Sequence, residues 1–322
     1  MKHKPKIMAI LLGMFILTQF IGLYVVDYYS PVKVVDGVVQ NVTEQNKLPY
    51  GMQMPEVEKE SDYYQTLFPS LVIAFVIAIS LLFFLTKFKV EFVLKLWFFI
   101  VVIIALGIAI NSFIPNSWKY PTIISLAIAI PLSFFKIYHR SFLVHNITEL
   151  FIYPGIAAVF VPILNLWTVI ALLILISIYD VWAVWHSGIM QKMAKYQMNK
   201  LKFFSGFFVP YVSKKVKLQI QKMKKSKLKE KRIKVNVAIL GGGDVVFPII
   251  TAGVILKTAS INLPFGLKDF VGGFYPALFV IAGATLGLAY LFVRSEKKKF
   301  YPAMPFISVG IFIGMILAYF LI

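Results

Sequence analysis

Two aspartates stand inside otherwise unbroken apolar runs: Asp180 in "ISIYDVWAVW" and Asp244 in "GGGDVVFP". An ionised side chain at the centre of a membrane helix costs about 2.5–3.5 kcal/mol on insertion scales, so an acid kept there is a functional candidate. Two such acids brought face to face cannot both ionise freely, and they hold one proton between them. The ionised member then takes a proton from water while the protonated member donates to a peptide carbonyl. That is the chemistry of peptide hydrolysis by an acid pair, with no metal and no organic cofactor. An ion- or proton-coupled transporter would use the same two buried carboxylates and a glycine-broken helix. For either aspartate alone, a hydrogen bond between helices is the plain structural alternative.

The elements that must position these acids are membrane spans. The chain has 322 residues, 59% of them hydrophobic, and a mean hydropathy of +0.81. Soluble domains lie nearer about 45–50% apolar, and several runs here reach the roughly 20 residues that cross a bilayer. The expected fold is an all-α polytopic membrane protein with nine transmembrane helices, near 7–26, 66–86, 92–114, 118–135, 147–164, 166–188, 235–256, 270–293 and 302–322. Lysine and arginine orient it. With the N-terminus in the cytoplasm, 26 basic residues fall in cytoplasmic segments and six in outer ones, while Lys95 lies just inside the third span. That asymmetry also places the C-terminus outside the cytoplasm. The chain divides into 1–188 with spans one to six, a basic cytoplasmic loop at 189–234, and 235–322 with spans seven to nine.

Span six runs inward and span seven outward. Asp180 then lies about eight residues from the inner end of its span and Asp244 about nine from the start of its own, so both stand roughly 12–14 Å from the cytoplasmic edge. Consecutive antiparallel helices are usually neighbours, so the acids can meet. Gly241, Gly242 and Gly243 let another backbone approach closely and loosen the helix just before Asp244. Glu149 falls near the inner end of span five, and Glu91 and Asp269 at span edges.

Other classes recede on composition. The formal net charge is +19, but the lysines gather beside apolar spans, which marks cytoplasmic loops and not a nucleic-acid surface. There are no cysteines, which removes disulfides and thiolate metal sites. The histidines His3, His139, His145 and His186 make no ligand pair at helical spacing, so no metal site is expected. The loop at 189–234 holds fifteen basic residues between Lys192 and Lys234. It reads as a surface segment drawn to anionic lipid, or as a solvated loop. The first outer segment, Asp27–Asp62, is acid-rich and carries an Asn-Val-Thr sequon at Asn41.

Three short motifs lie in order on the last spans: Tyr179-Asp180, Gly241-Gly242-Gly243-Asp244, and Pro302-Ala303-Met304-Pro305. They resemble the Tyr-Asp, Gly-x-Gly-Asp and Pro-Ala-Leu motifs of the presenilin and signal peptide peptidase family of intramembrane aspartyl proteases. The resemblance implies Asp180 and Asp244 as catalytic residues, supported by Tyr179, Gly241, Gly243, Pro302, Ala303, Met304 and Pro305. Met304 replaces the family leucine with similar bulk. A literal Pro276-Ala277-Leu278 in span eight is a decoy by position. The resemblance implies cleavage within transmembrane-helix substrates in the bilayer, without cofactor, metal or obligate subunits. A prepilin-type peptidase also carries Gly-x-Gly-Asp but has fewer spans and no Pro-Ala-Leu element. Unwound substrate backbone needs hydrogen-bond partners in the membrane, and strand-like pairing with enzyme backbone would supply them. The prolines of the 302–305 motif are expected to leave carbonyls free beside the acids. A short cysteine-free chain points to a microbial, archaeal homologue in a cell membrane.

Overall fold

The structure, a computed structural model, describes residues 5–30, 32–35, 38–41, 47–53, 62–87, 91–139, 141–188, 196–197, 204–211, 236–258, 260–261, 269–296 and 300–321. Among them are nine long helices: α1 (Pro5–Tyr29), α2 (Phe68–Lys87), α3 (Glu91–Asn111), α4 (Pro121–Tyr138), α5 (Phe142–Phe160), α6 (Leu166–Val181), α7 (Gly242–Lys257), α8 (Phe274–Arg294) and α9 (Met304–Leu321). Eight helical stretches are long and apolar enough to cross a membrane, α6 together with the turn that continues it to His186; α7, with 16 residues, is not among them. In a bilayer every backbone polar group must be paired within the protein, which is why apolar runs of this length close as helices.

Local chemistry sets several of the ends. Asn165 caps α6 by accepting from the Thr168 N–H at 2.9 Å, and Thr168 Oγ1 accepts the Asn165 N–H at 2.8 Å, a reciprocal box that fixes where the helix starts. Pro121 opens α4, where its missing N–H would have had no helical acceptor. Pro131 and Pro154 lie inside α4 and α5 without ending either helix.

Six strands form three antiparallel ribbons: β1 (Val32–Val35) with β2 (Val38–Asn41), β3 (Gly206–Tyr211) with β4 (Asn236–Gly241), and β5 (Ser260–Ile261) with β6 (Phe270–Val271). The second ribbon corrects the expected seventh span. Within it Asn236–Gly241 is strand, paired from Gly206↔Gly241 to Tyr211↔Asn236, and the helix begins only at Gly242. The expected basic loop therefore contributes β3. The remainder of 189–234, apart from 196–197 and 204–211, lies outside the described residues, as does the lipid-binding reading of that segment. The Asn41 sequon is also incomplete among them.

At the centre, α7 packs against α1, α5, α6 and α8, and Phe15, Leu173 and Ile249 are completely buried there. Helices α8 and α9 make the most extensive pair. Gly283 abuts the Gly310 carbonyl and Gly310 abuts the Gly283 carbonyl, so neither position has room for a side chain. This mutual close approach is the small-residue packing that membrane helices use in place of hydrophobic exclusion. It fixes where the N-terminus of α9 emerges.

Candidate active site

Asp180 is the penultimate residue of α6, which continues as a π-helical turn over Trp182–His186. Its side chain is buried. Asp180 Oδ2 accepts the main-chain N–H of Met304 at 3.0 Å, and the Ala303 N–H is directed at the same carboxyl. The cause lies in the sequence of the 302–305 motif. Pro302 and Ala303 precede the helix, Met304 starts it, and Pro305 lies in its first turn. The first N–H groups of a helix have no acceptor of their own. Asp180 supplies one from a different helix, where a carboxylate also meets the positive end of the α9 dipole. The expectation that this motif leaves carbonyls free needs correction at Ala303, whose carbonyl accepts from the Ile307 N–H at 3.1 Å. The motif presents N–H groups to the acid. One turn back along α6, the Ser177 hydroxyl donates to Ser308 Oγ at 3.0 Å. Two bonds on one helix face thus tie α6 to α9.

Asp244 is buried in the first turn of α7, not nine residues into a helix as the longer span implied. Gly241 is the N-cap, and its N–H turns back to the Asp244 carboxyl. This is the acidic half of a capping box, with glycine where serine or threonine would stand. A Cβ on Gly241 would come within 3.1 Å of Asp244 Oδ2. Asp180 lies near enough for its charge to act on Asp244. Each acid therefore stands at the N-terminus of a helix, α9 for Asp180 and α7 for Asp244. Asp180 Oδ1 is buried and has no hydrogen-bond partner among the described residues.

The supporting residues divide. Pro302, Ala303 and Met304 are buried around Asp180. The Tyr179 ring meets Phe75 of α2 edge-on at 5.8 Å and Trp182 at 6.3 Å, and its hydroxyl lies within range of the Asp180 charge. The glycines are unequal. A Cβ on Gly242 would lie 2.9 Å from the Tyr153 hydroxyl and 3.1 Å from Ser205 Oγ, whereas one on Gly243 would meet only Phe247 at 3.6 Å, an ordinary contact. The tight position is the middle glycine, which the motif reading had passed over. Pro276-Ala277-Leu278 occupies the first turn of α8. Gly287 of that helix packs on the Phe306 backbone near the start of α9, and Pro276 lies roughly 17 Å from Gly287 along the axis.

A third acid, expected near the inner end of span five, is buried well inside a helix. Glu149 lies two turns inside α5, because that helix starts at Phe142 and not near 147. The Lys136 ammonium reaches it at 2.6 Å. The usable signal was the His145–Glu149 spacing of one helical turn, with Lys136 nearby in sequence.

The β3–β4 ribbon leads directly into Asp244. The N–H and C=O of Phe208 both go to Asn146, at 3.1 and 3.0 Å, and those of Gly206 go to Glu149 at 3.3 Å and His145 at 2.8 Å. Even-numbered residues of β3 thus bond toward α5. By the alternation of an antiparallel ladder, Phe207, Val209 and Tyr211 bond toward β4, and Pro210 lacks its N–H on the side away from the ladder. On β4 the same alternation turns the backbone of Val237 and Ile239 away from β3. Among the described residues no strand pairs with that edge.

Comparison with known proteins gives a consistent picture. The family model for "Signal-peptide peptidase, presenilin aspartyl protease" matches residues 44–322. Two solved structures of a presenilin family intramembrane aspartate protease share the fold. The one in space group C222 is 15% identical with a TM-score of 0.55, covering 98% of this chain and 99% of that one. The one in space group P2 is 16% identical with a TM-score of 0.56, covering 97% of each. No curated protein matches the sequence.

Proposed function

Because this integral, multi-pass membrane chain belongs to the signal-peptide peptidase and presenilin family of aspartyl proteases, we propose that Asp180 and Asp244 are its catalytic pair, of the Gly-x-Gly-Asp type, and hydrolyse peptide bonds within transmembrane helices of other proteins. The observation that carries this reading is their placement: two buried acids on α6 and α7, Asp244 within range of the Asp180 charge, each at a helix N-terminus. In the working state one acid is ionised and takes a proton from the attacking water. The other is protonated and donates to the carbonyl oxygen as the tetrahedral centre forms. The helix N-termini stabilise the charge the pair retains. Asp180 Oδ1, buried and unbonded, is the position for the shared proton or the water.

A substrate helix must unwind before its carbonyl is open to attack. The Val237 and Ile239 backbone then offers an unwound strand the hydrogen bonds that the bilayer withholds. The strand would run into the acids, since β4 ends one residue before α7. The lysine distribution supports a cytoplasmic N-terminus, an outer C-terminus and a ribbon facing the cytoplasm; the cysteine-free chain supports a microbial cell membrane. Subunits are not needed to complete this pair. Anionic lipid at the lysine-rich 189–234 segment follows from its charge.

The transporter and prepilin-peptidase alternatives lose ground to the family match. The test is purified protein in liposomes with a transmembrane peptide, with product masses and ion flux read together. Cleavage by the wild type, lost in both Asp180→Asn and Asp244→Asn, supports the reading. Flux without cleavage overturns it.

A further inference from the structure

Behind β3 lies a buried polar cluster outside the aspartate pair. Lys136 of α4 and His145, Asn146 and Glu149 of α5 are all buried. Lys136 Nζ donates to Glu149 Oε1 at 2.6 Å and lies 3.4 Å from His145 Nδ1. His145 Nε2 donates to the Gly206 carbonyl at 2.8 Å, and Glu149 Oε1 accepts the Gly206 N–H at 3.3 Å. Asn146 takes both backbone groups of Phe208. Its carboxamide gives β3 one N–H and one oxygen, as the peptide of a neighbouring strand would, and its second N–H goes to the Phe142 carbonyl at 3.1 Å.

Burying a carboxylate is costly unless it is paired and hydrogen-bonded, and Lys136 supplies the charge that lets Glu149 stay there. Chain stability alone does not require these particular contacts, since apolar side chains of similar volume serve a helix core at least as well. What the polar groups achieve is specific placement. Four successive contacts hold two alternate residues of one strand, which fixes the ribbon along its length and in tilt. They also occupy the only other edge of the ribbon, so a third strand can add beside β4 and nowhere else.

We propose that His145, Asn146 and Glu149, with Lys136 as counter-ion, are positioning residues that set which substrate bond meets the acids. The proposal rests on the protease reading above. A substrate strand paired to β4 takes its register from β4, and β4 takes its position from β3. Freeing β3 from α5 lets the ribbon shift or tilt, and more than one substrate bond then reaches the pair.

The test uses the full chain, a transmembrane peptide that the wild type cuts, and mass spectrometry of all products. Asn146→Ala deletes both Phe208 contacts. Asn146→Gln carries the same amide one methylene farther out, and serves if the alanine variant fails to fold. The expected result is a rise of about fivefold in the fraction cut at secondary bonds, the factor carried by one hydrogen bond. A purely structural role would lower rate and thermal stability with the product proportions unchanged, and that result overturns the proposal. A wild type that cuts no peptide overturns the protease reading itself, which distinguishes the two failures.

Discussion

The Asp180 carboxyl, at the end of α6, caps the first turn of α9 through the main-chain N–H of Met304, at 3.0 Å. The contact is backbone to side chain, so it depends on where Met304 lies more than on what its side chain is. Met304→Leu is expected to retain activity. Met304→Pro removes the N–H at a helix-start position that accepts proline, so the fold is expected to survive. A hydrogen bond to a charged group is worth about 1.5–3 kcal/mol, so peptide turnover should fall about tenfold to a hundredfold. Steady-state cleavage rates of the two variants check this. Equal rates would show that the α9 cap does not orient Asp180.

The glycines before Asp244 give a stability contrast. Gly242 touches Tyr153 and Ser205, and Gly243 does not. Gly242→Ala forces a methyl group into filled space, and overpacking of this kind costs about 1–3 kcal/mol. Gly243→Ala meets no such obstacle and gains up to about 1 kcal/mol of helix propensity. Thermal unfolding in detergent should therefore rank Gly242→Ala below the wild type and Gly243→Ala level with it or above.

The seam between α8 and α9 reaches the site indirectly. Gly310 packs on the backbone of Gly283, and the α9 start depends on that seam for its position. Gly310→Leu is expected to separate the helices, lower the unfolding temperature and abolish cleavage together. Ser177→Ala deletes one bond to Ser308 and should cost only about 1 kcal/mol of stability. Activity and melting measured on both variants separate the two effects.

Much of this was legible in the sequence, for identifiable reasons. An acid in an apolar run is conspicuous, so Asp180 and Asp244 stood out, and hydropathy located all the long helices. Asn236–Gly241 was misread as helix because a short apolar run such as Val237–Leu240 looks alike in either state. What makes it a strand is Gly206–Tyr211, some thirty residues upstream in a lysine-rich stretch, and no local pattern announces that pairing. Glu149 was placed near a span end because a five-residue error in the start of α5 moved it from the interior toward the edge, and its counter-ion Lys136 is on another helix. The Gly242 constraint likewise comes from Tyr153, on a different helix. Spacing along one element was readable; side chains arriving from other elements were not.

The account rests on two acids that share one proton in the working enzyme. The direct measurement is the pH dependence of kcat/KM for a transmembrane peptide. A pair in which one member must be ionised and the other protonated gives a bell-shaped profile with two limbs. A rate that follows a single ionisation, or none, would mean that Asp180 and Asp244 do not act together, and would contradict the account.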